Sequence, residues 1–286
     1  MSNTLATLLD SAAAELAAAS PAPRLDAELL LAHALGKERS YLRAYPENYV
    51  DAQVLEAFRW LLTARKGGEP IAYLTSKREF WSLTLRVTPA TLIPRHETEL
   101  LVELALERLT AGAASRLLDL GTGSGAVALA LARERPHWRI TATDASTEAL
   151  AVASENAAAL GLRNVEFLAG DWFSPLADRR FDLIVSNPPY VREDDPHLAM
   201  GDVRFEPRTA LAAGPDGLSD LSRIVAAAPL HLEPRAWLLL EHGHDQGEAV
   251  RSLLSQRGFD DVATSRDLRG LERVSGGIWA NSTATR

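Results

Sequence analysis

The sequence predicts an α/β protein in which a doubly wound sheet follows a small N-terminal helical bundle and a β-hairpin linker. Three observations predict it. Apolar residues recur at helical spacing through the first quarter of the chain. Beyond residue 115, short apolar runs alternate with helical patterns, the mark of a mostly parallel sheet. The first of those runs, Leu117-Leu118-Asp119-Leu120, opens directly into the glycine-rich loop Gly121-Thr122-Gly123-Ser124-Gly125. The expected division is a helical domain over 1–75, a hairpin linker over 76–95 and a sheet domain over 96–286.

In the helical part, residues 4–19 are rich in Ala and Leu, and Leu25 to Leu35 has apolar positions at helical spacing. Ala52 to Ala64 repeats the pattern with Leu55, Phe58, Leu61 and Leu62. Pro21, Pro23, Gly36, Pro46 and Gly67-Gly68 punctuate these segments. The stripes read as ordinary core packing of a bundle. In the linker, Phe80 to Val87 alternates as a strand does, with Leu92-Ile93 expected to pair back across Thr88-Pro89-Ala90. Pro94-Arg95-His96-Glu97-Thr98-Glu99 then caps a helix over Leu100 to Leu109, with Glu97 and Glu99 at its positive end. Arg95 reads as an exposed surface charge rather than a cofactor contact, and its nearness to the expected domain junction leaves the second role open.

The sheet follows in order. Gly121 to Gly125 makes a tight turn into the helix begun by Ala126-Val127-Ala128, where glycines let the backbone approach a ligand and the helix start offers N–H groups to an anionic end. A second strand, Trp138 to Thr143, ends in Asp144, roughly 20 positions past the loop. An acid there can accept from both hydroxyls of a ribose, while Ser146 serves as N-cap of the next helix. A third strand, Val165 to Leu168, closes on Gly170-Asp171-Trp172, where Asp171 can hold an adenine amino group and Trp172 can stack on the ring. A fourth, Phe181 to Val185, runs into Ser186-Asn187-Pro188-Pro189-Tyr190. Near the C-terminus Ala236 to Glu241 and Gly276 to Ala280 are strand-like after a helix over Leu218 to Ala228.

Asn-Pro-Pro-Tyr suits chemistry on a planar nitrogen. Such a nitrogen is a poor nucleophile because its lone pair is delocalised, so it must be oriented and its N–H bonds polarised. Asn187 supplies an acceptor oxygen. Pro189 restricts Pro188 to an extended conformation that aims main-chain carbonyls at the second N–H, and neither proline has an N–H to compete. Tyr190 can lay a ring against the flat group. The segment also fits a plain turn after a strand. Four ligand-directed elements at the ends of four successive strands favour methylation of an amide or amino nitrogen.

This series resembles the Rossmann-like, class I S-adenosylmethionine-dependent methyltransferases, and in detail the release factor N5-glutamine methyltransferase family, over nearly the whole chain. Further matching segments are Gly67 to Leu74, Arg78-Glu79-Phe80-Trp81, Thr91 to Arg95, Glu206-Pro207 with Ala210-Leu211, and Gly214 to Leu218. His96 departs from the family's second proline. The resemblance implies that Gly121 through Gly125 hold the methionine portion of S-adenosylmethionine, Asp144 its ribose and Trp172 its adenine, with Asn187 between cofactor and substrate. It implies that Asn187, Pro188, Pro189 and Tyr190 bind the glutamine amide of the Gly-Gly-Gln motif in bacterial class I peptide release factors, that the N-terminal bundle docks that large substrate, and that a reversed hairpin closes the sheet edge.

Composition narrows the choice of function. The 286 residues include no cysteine, which excludes disulfides, thiolate zinc sites and cysteine nucleophiles. The seven histidines form no metal motif, and His242 with His244 reads as a solvated loop. No apolar run approaches a membrane span and no basic region precedes the first apolar segment, so the expectation is a cytoplasmic protein. A net charge of −8 disfavours broad gripping of phosphate backbones. That argues against an N6-adenine or N4-cytosine nucleic-acid methyltransferase, which the Asn-Pro-Pro-Tyr element would also suit. A ribosomal-protein glutamine methyltransferase would share the same motifs, although Thr75 to Trp81 looks more like the release factor enzymes. A non-catalytic nucleotide-binding protein would share the sheet, but the intact Asn187 to Tyr190 element favours an enzyme. A monomer is the expected state.

Overall fold

A computed structural model describes residues 4–109 and 114–280; the outermost residues of the expected domains, 1–3 and 281–286, lie outside them. The chain clusters into two compact units. One holds the residues up to Lys77 together with Ala199–Phe205, and the other Arg78–Leu198 and the residues from Glu206 on.

The first unit is a bundle of α1 (Leu5–Leu16), α2 (Pro23–Leu35), α3 (Arg39–Ala44), α4 (Ala52–Lys66) and α5 (Ile71–Thr75). Local chemistry sets its ends. Asp51 caps α4 by accepting from the Val54 N–H at 2.9 Å; Pro23 begins α2, and Gly36 ends it in the left-handed region. Leu5, Leu9, Leu16, Leu30, Leu31 and Phe58 fill the core. Arg65, only 5% exposed, donates to Asp26 at 2.7 Å and to Asp202 at 2.9 Å. That second bond anchors Ala199–Phe205 in the bundle, a placement with no mark in the local sequence.

The second unit opens with a hairpin that departs from expectation. Its strands are β1 (Lys77–Phe80) and β2 (Leu83–Arg86), turned at Trp81 and Ser82 with φ of 50° and 56°. The two left-handed residues reverse the chain inside the stretch expected to be one strand, and Leu92-Ile93 joins no strand. After α6 (Glu99–Arg108) come β3 (Arg116–Leu120), α7 (Ala126–Glu134), β4 (Arg139–Asp144), α8 (Thr147–Leu160), β5 (Val165–Ala169), β6 (Phe181–Ser186), α9 (Ser219–Ala227), β7 (Leu232–Glu241), α10 (Gly247–Arg257), β8 (Phe259–Arg266) and β9 (Glu272–Trp279).

The seven-stranded sheet has the order β5-β4-β3-β6-β7-β9-β8, parallel through β7. Antiparallel β9 then lies between β7 and the edge strand β8, a reversed hairpin. Alternate residues feed two cores. Leu117, Leu183, Val185 and Leu239 join the α6, α7 and α8 side, while Leu118, Leu120, Ile184, Leu238 and Leu240 join the α9 and α10 side. Burial on both faces makes the central strands read as continuous apolar runs. Chain order reverses between β4 and β6 on either side of β3, so the crevice at the carboxyl ends of these strands is where such folds take ligands.

Candidate active site

At that switch point the β3 loop is shaped by its own backbone bonds. The N–H groups of Gly121 and Thr122 both donate to the Thr143 carbonyl, Gly125 N–H to Thr122, and Gly123 N–H to Asp144 Oδ2 at 2.8 Å. The N–H groups of four loop residues are thus engaged in holding the loop itself, and the first N–H groups of α7 have no acceptor within the helix. Glycine is required at Gly121, where φ is 70° and an added Cβ would lie 3.2 Å from the Trp172 ring. It is required again at Gly125, where a Cβ would press on Leu129 and Ala153.

Thr122 donates its hydroxyl to Asp119 at 2.6 Å. Burial pushes the Asp119 pKa up to about 6 against the pull of Thr122 and the Ala128 N–H. Asp144, at the tip of β4, also has its pKa raised by burial, while the Ser146 and Gly123 N–H groups oppose the rise. Each of its oxygens keeps lone-pair capacity for a further donor. Ser146 does cap α8, accepting from the Ala149 N–H at 3.0 Å.

A cavity of about 410 Å³ gathers most of the motif residues: Gly121, Gly123, Asp144, Asp171, Trp172, Asn187 and Pro189 line it. Its further wall comes from Ala90 to Leu92 and from Pro207, Thr209 and Ala210. A smaller recess lined by Thr122, Ser124, Ala126, Thr98 and Arg95 shares Gly121, Gly123 and Asn187 with it. Gly125, Pro188 and Tyr190 line neither. Pro188 is buried, and Tyr190 packs on the α9 side of the sheet and donates its hydroxyl to Glu241 at 3.2 Å. Asp171 is exposed and paired with Arg223 at the cavity rim. A cavity of about 420 Å³ lies where β3 and β4 begin, ringed by arginines, but no motif residue reaches it.

Two readings of charged residues are overturned. Arg95 is not an exposed surface charge: it is half-buried and paired with Glu206, whose other oxygen accepts from the Ile93 N–H at 3.0 Å. His242 is not on a solvated loop. It is fully buried and bonded to Ser275 at 2.8 Å, and burial lowers its pKa; His244 is exposed. His96, the departure from the expected pattern, is exposed beside Glu99. Nothing in the sequence marks Thr98, whose Oγ1 accepts from Asn187 Nδ2 at 3.1 Å. Glu241 could have been found as an acid ending the apolar run Leu238-Leu239-Leu240.

The cavity's chemistry fits S-adenosylmethionine. Its volume lies within the roughly 300–1,000 Å³ of small-molecule sites, and glycine backbone, an acid and an indole line it. The fold and this cleft define an S-adenosylmethionine-dependent methyltransferase. The Methyltransferase small domain model matches residues 96–206, and the PrmC N-terminal domain model matches residues 7–75. A methyltransferase structure from Pyrococcus furiosus, 18% identical, shares the fold with a TM-score of 0.53 over 69% of this chain and 89% of that one. A release factor glutamine methyltransferase of Pseudomonas aeruginosa is 56% identical over 91% of this chain and 94% of its own. One from Vibrio cholerae is 50% identical over 96% of each. The chain belongs to the release factor glutamine methyltransferase family.

Proposed function

We propose that this protein transfers the methyl group of S-adenosylmethionine to the side-chain amide nitrogen of the glutamine in the Gly-Gly-Gln motif of class I peptide release factors. The observation that carries this reading is Asn187, which lines the donor cavity at the end of β6 and follows the strand beside the glycine loop. The bound donor supplies an activated methyl on a sulfonium, so the protein's task is placement. Gly121 to Gly125 and the start of α7 hold the donor's amino-acid end, with Asp144 at its ribose. Asp171 and Trp172 lie at the adenine. Asn187 Oδ1 accepts one N–H of the glutamine amide, a carbonyl of the Pro188 region accepts the other, and the lone-pair face is left toward the methyl. Pro189 holds that backbone extended, and Tyr190 braces it from behind. The proton leaves to water at Asn187 or to bulk as the new bond forms. The helical unit docks the factor.

The protein acts in the cytoplasm as a monomer without gripping nucleic acid. Among the described residues no helix is long and apolar enough to cross a membrane. The net charge of −8 disfavours a polyanionic substrate. Methyl-labelled donor incubated with wild-type class I release factor, its Gly-Gly-Gln Gln→Ala form and unmethylated duplex DNA tests the reading. Label on the wild-type factor alone is expected; label on DNA, or on both factor forms, overturns the substrate.

A further inference from the structure

From Asn187 a polar chain starts at Thr98, which lines the smaller recess beside the donor cavity. Asn187 Nδ2 donates to Thr98 Oγ1 at 3.1 Å. A hydroxyl that accepts in this way still has its own proton to place, and the Glu241 carboxyl is the acceptor close by. β6 and β7 run parallel with Ser186 beside Leu240, so the next residues, Asn187 and Glu241, leave the sheet as neighbours, and Glu241 Oε2 is buried without a hydrogen-bond partner. Oε1 faces the Tyr190 hydroxyl at 3.2 Å. Glu241 ends β7 and is 1% exposed.

We propose that Glu241 is a positioning residue for the methyl transfer, which through the Thr98 hydroxyl fixes the Asn187 amide with Nδ2 toward the protein and Oδ1 toward the substrate nitrogen. This rests on Asn187 as the holder of the substrate amide. An ionised carboxylate can only accept: the Tyr190 hydroxyl donates to Oε1, and Oε2, otherwise unpartnered, is the acceptor left for the Thr98 proton. The Thr98 oxygen then accepts, and only the NH₂ end of the Asn187 amide can serve it. Turned over, Asn187 would set its NH₂ against the N–H of the substrate, donor against donor, and Thr98 would no longer have its proton free for the carboxylate.

The groups around Glu241 make this polarity depend on pH. Burial drives its pKa up to about 7; Arg273 from β9 pulls it down and Glu97, ahead of α6, pushes it up. A protonated Glu241 becomes a donor itself and competes with Asn187 for the Thr98 oxygen. Turnover therefore rises with pH as Glu241 ionises.

The test compares the full-length wild type with Glu241→Gln, the isosteric Thr98→Val and the double variant. Turnover on release factor is expected to fall about ten- to a hundredfold in each single variant with KM for the donor unchanged. The double variant is expected to be no worse than the poorer single one, and the acidic limb of the pH profile is lost. The side-chain NH₂ resonances of Asn187, followed by ¹⁵N NMR in the protein alone, are expected to titrate near neutral pH in the wild type and to shift and stop titrating in both variants. Additive losses, or Asn187 resonances that neither substitution moves, overturn the proposal. Should Glu241→Gln fail to fold, Thr98→Val carries the comparison. Wild-type inactivity on release factor would sink the substrate reading alone, because the NMR result needs no substrate.

Discussion

At the scale of single residues, the loop after β3 depends on positions where a side chain has no room. Gly121→Ala would push a methyl onto the Trp172 ring at a φ of 70°, so donor affinity should fall at least about tenfold with roughly 1–2 kcal/mol of backbone strain. Calorimetric titration of the donor reads this, and unchanged affinity would show that the loop does not meet the ligand. Two buried acids give the fold a pH signature. Glu241 is raised from 4.5 to about 7 and Asp119 from 3.8 to about 6, so the folded state keeps protons that the unfolded chain releases. Their stabilising share is present below the unfolded values and is lost as pH rises through the folded ones. For Glu241 the loss is roughly 3 kcal/mol. Thermal melts from about pH 5 to about pH 8 should show wild type losing ground to Glu241→Gln as pH rises; a gap independent of pH would refute the burial argument. That Asn187, Asp144, Gly121 and Gly123 would gather at one cavity is legible in the sequence, because their residue types and strand-end positions announce it. Thr98 is not, since a threonine before a helix looks the same whether it receives an amide or faces water.

At the scale of elements, the parallel core could be read because both faces of β3, β4, β6 and β7 are covered, which leaves runs such as Leu238-Leu239-Leu240 without polar interruption. The β8 strand, Phe259–Arg266, has one buried residue at the sheet edge and carries two aspartates and an arginine, so its composition matches no strand pattern. The hairpin was misplaced because Trp81 and Ser82 turn in a left-handed conformation that neither residue type advertises. In the bundle the weight falls on one buried ion pair. Arg65→Met would leave Asp26 buried with only the Ser20 hydroxyl at 2.7 Å, and should cost about 3 kcal/mol in urea unfolding. A loss under about 1 kcal/mol would mean that Asp26 regains water or another partner.

At the scale of the whole molecule, the order of motifs along the chain becomes an order around one cavity because successive strands of a parallel sheet end on the same side. That is why site and fold were readable together. The assignment of Ala199–Phe205 to the helical unit was not, since it depends on Arg65 meeting Asp202 across 137 positions of sequence. Asn187 presents the acceptor amide to a donor held by other residues, and donor binding measured beside single-turnover methylation of intact release factor by Asn187→Ala tests this role. Donor affinity is expected to stay within about twofold of wild type while turnover falls at least about a hundredfold. Weakened donor binding with normal turnover at saturation would contradict it.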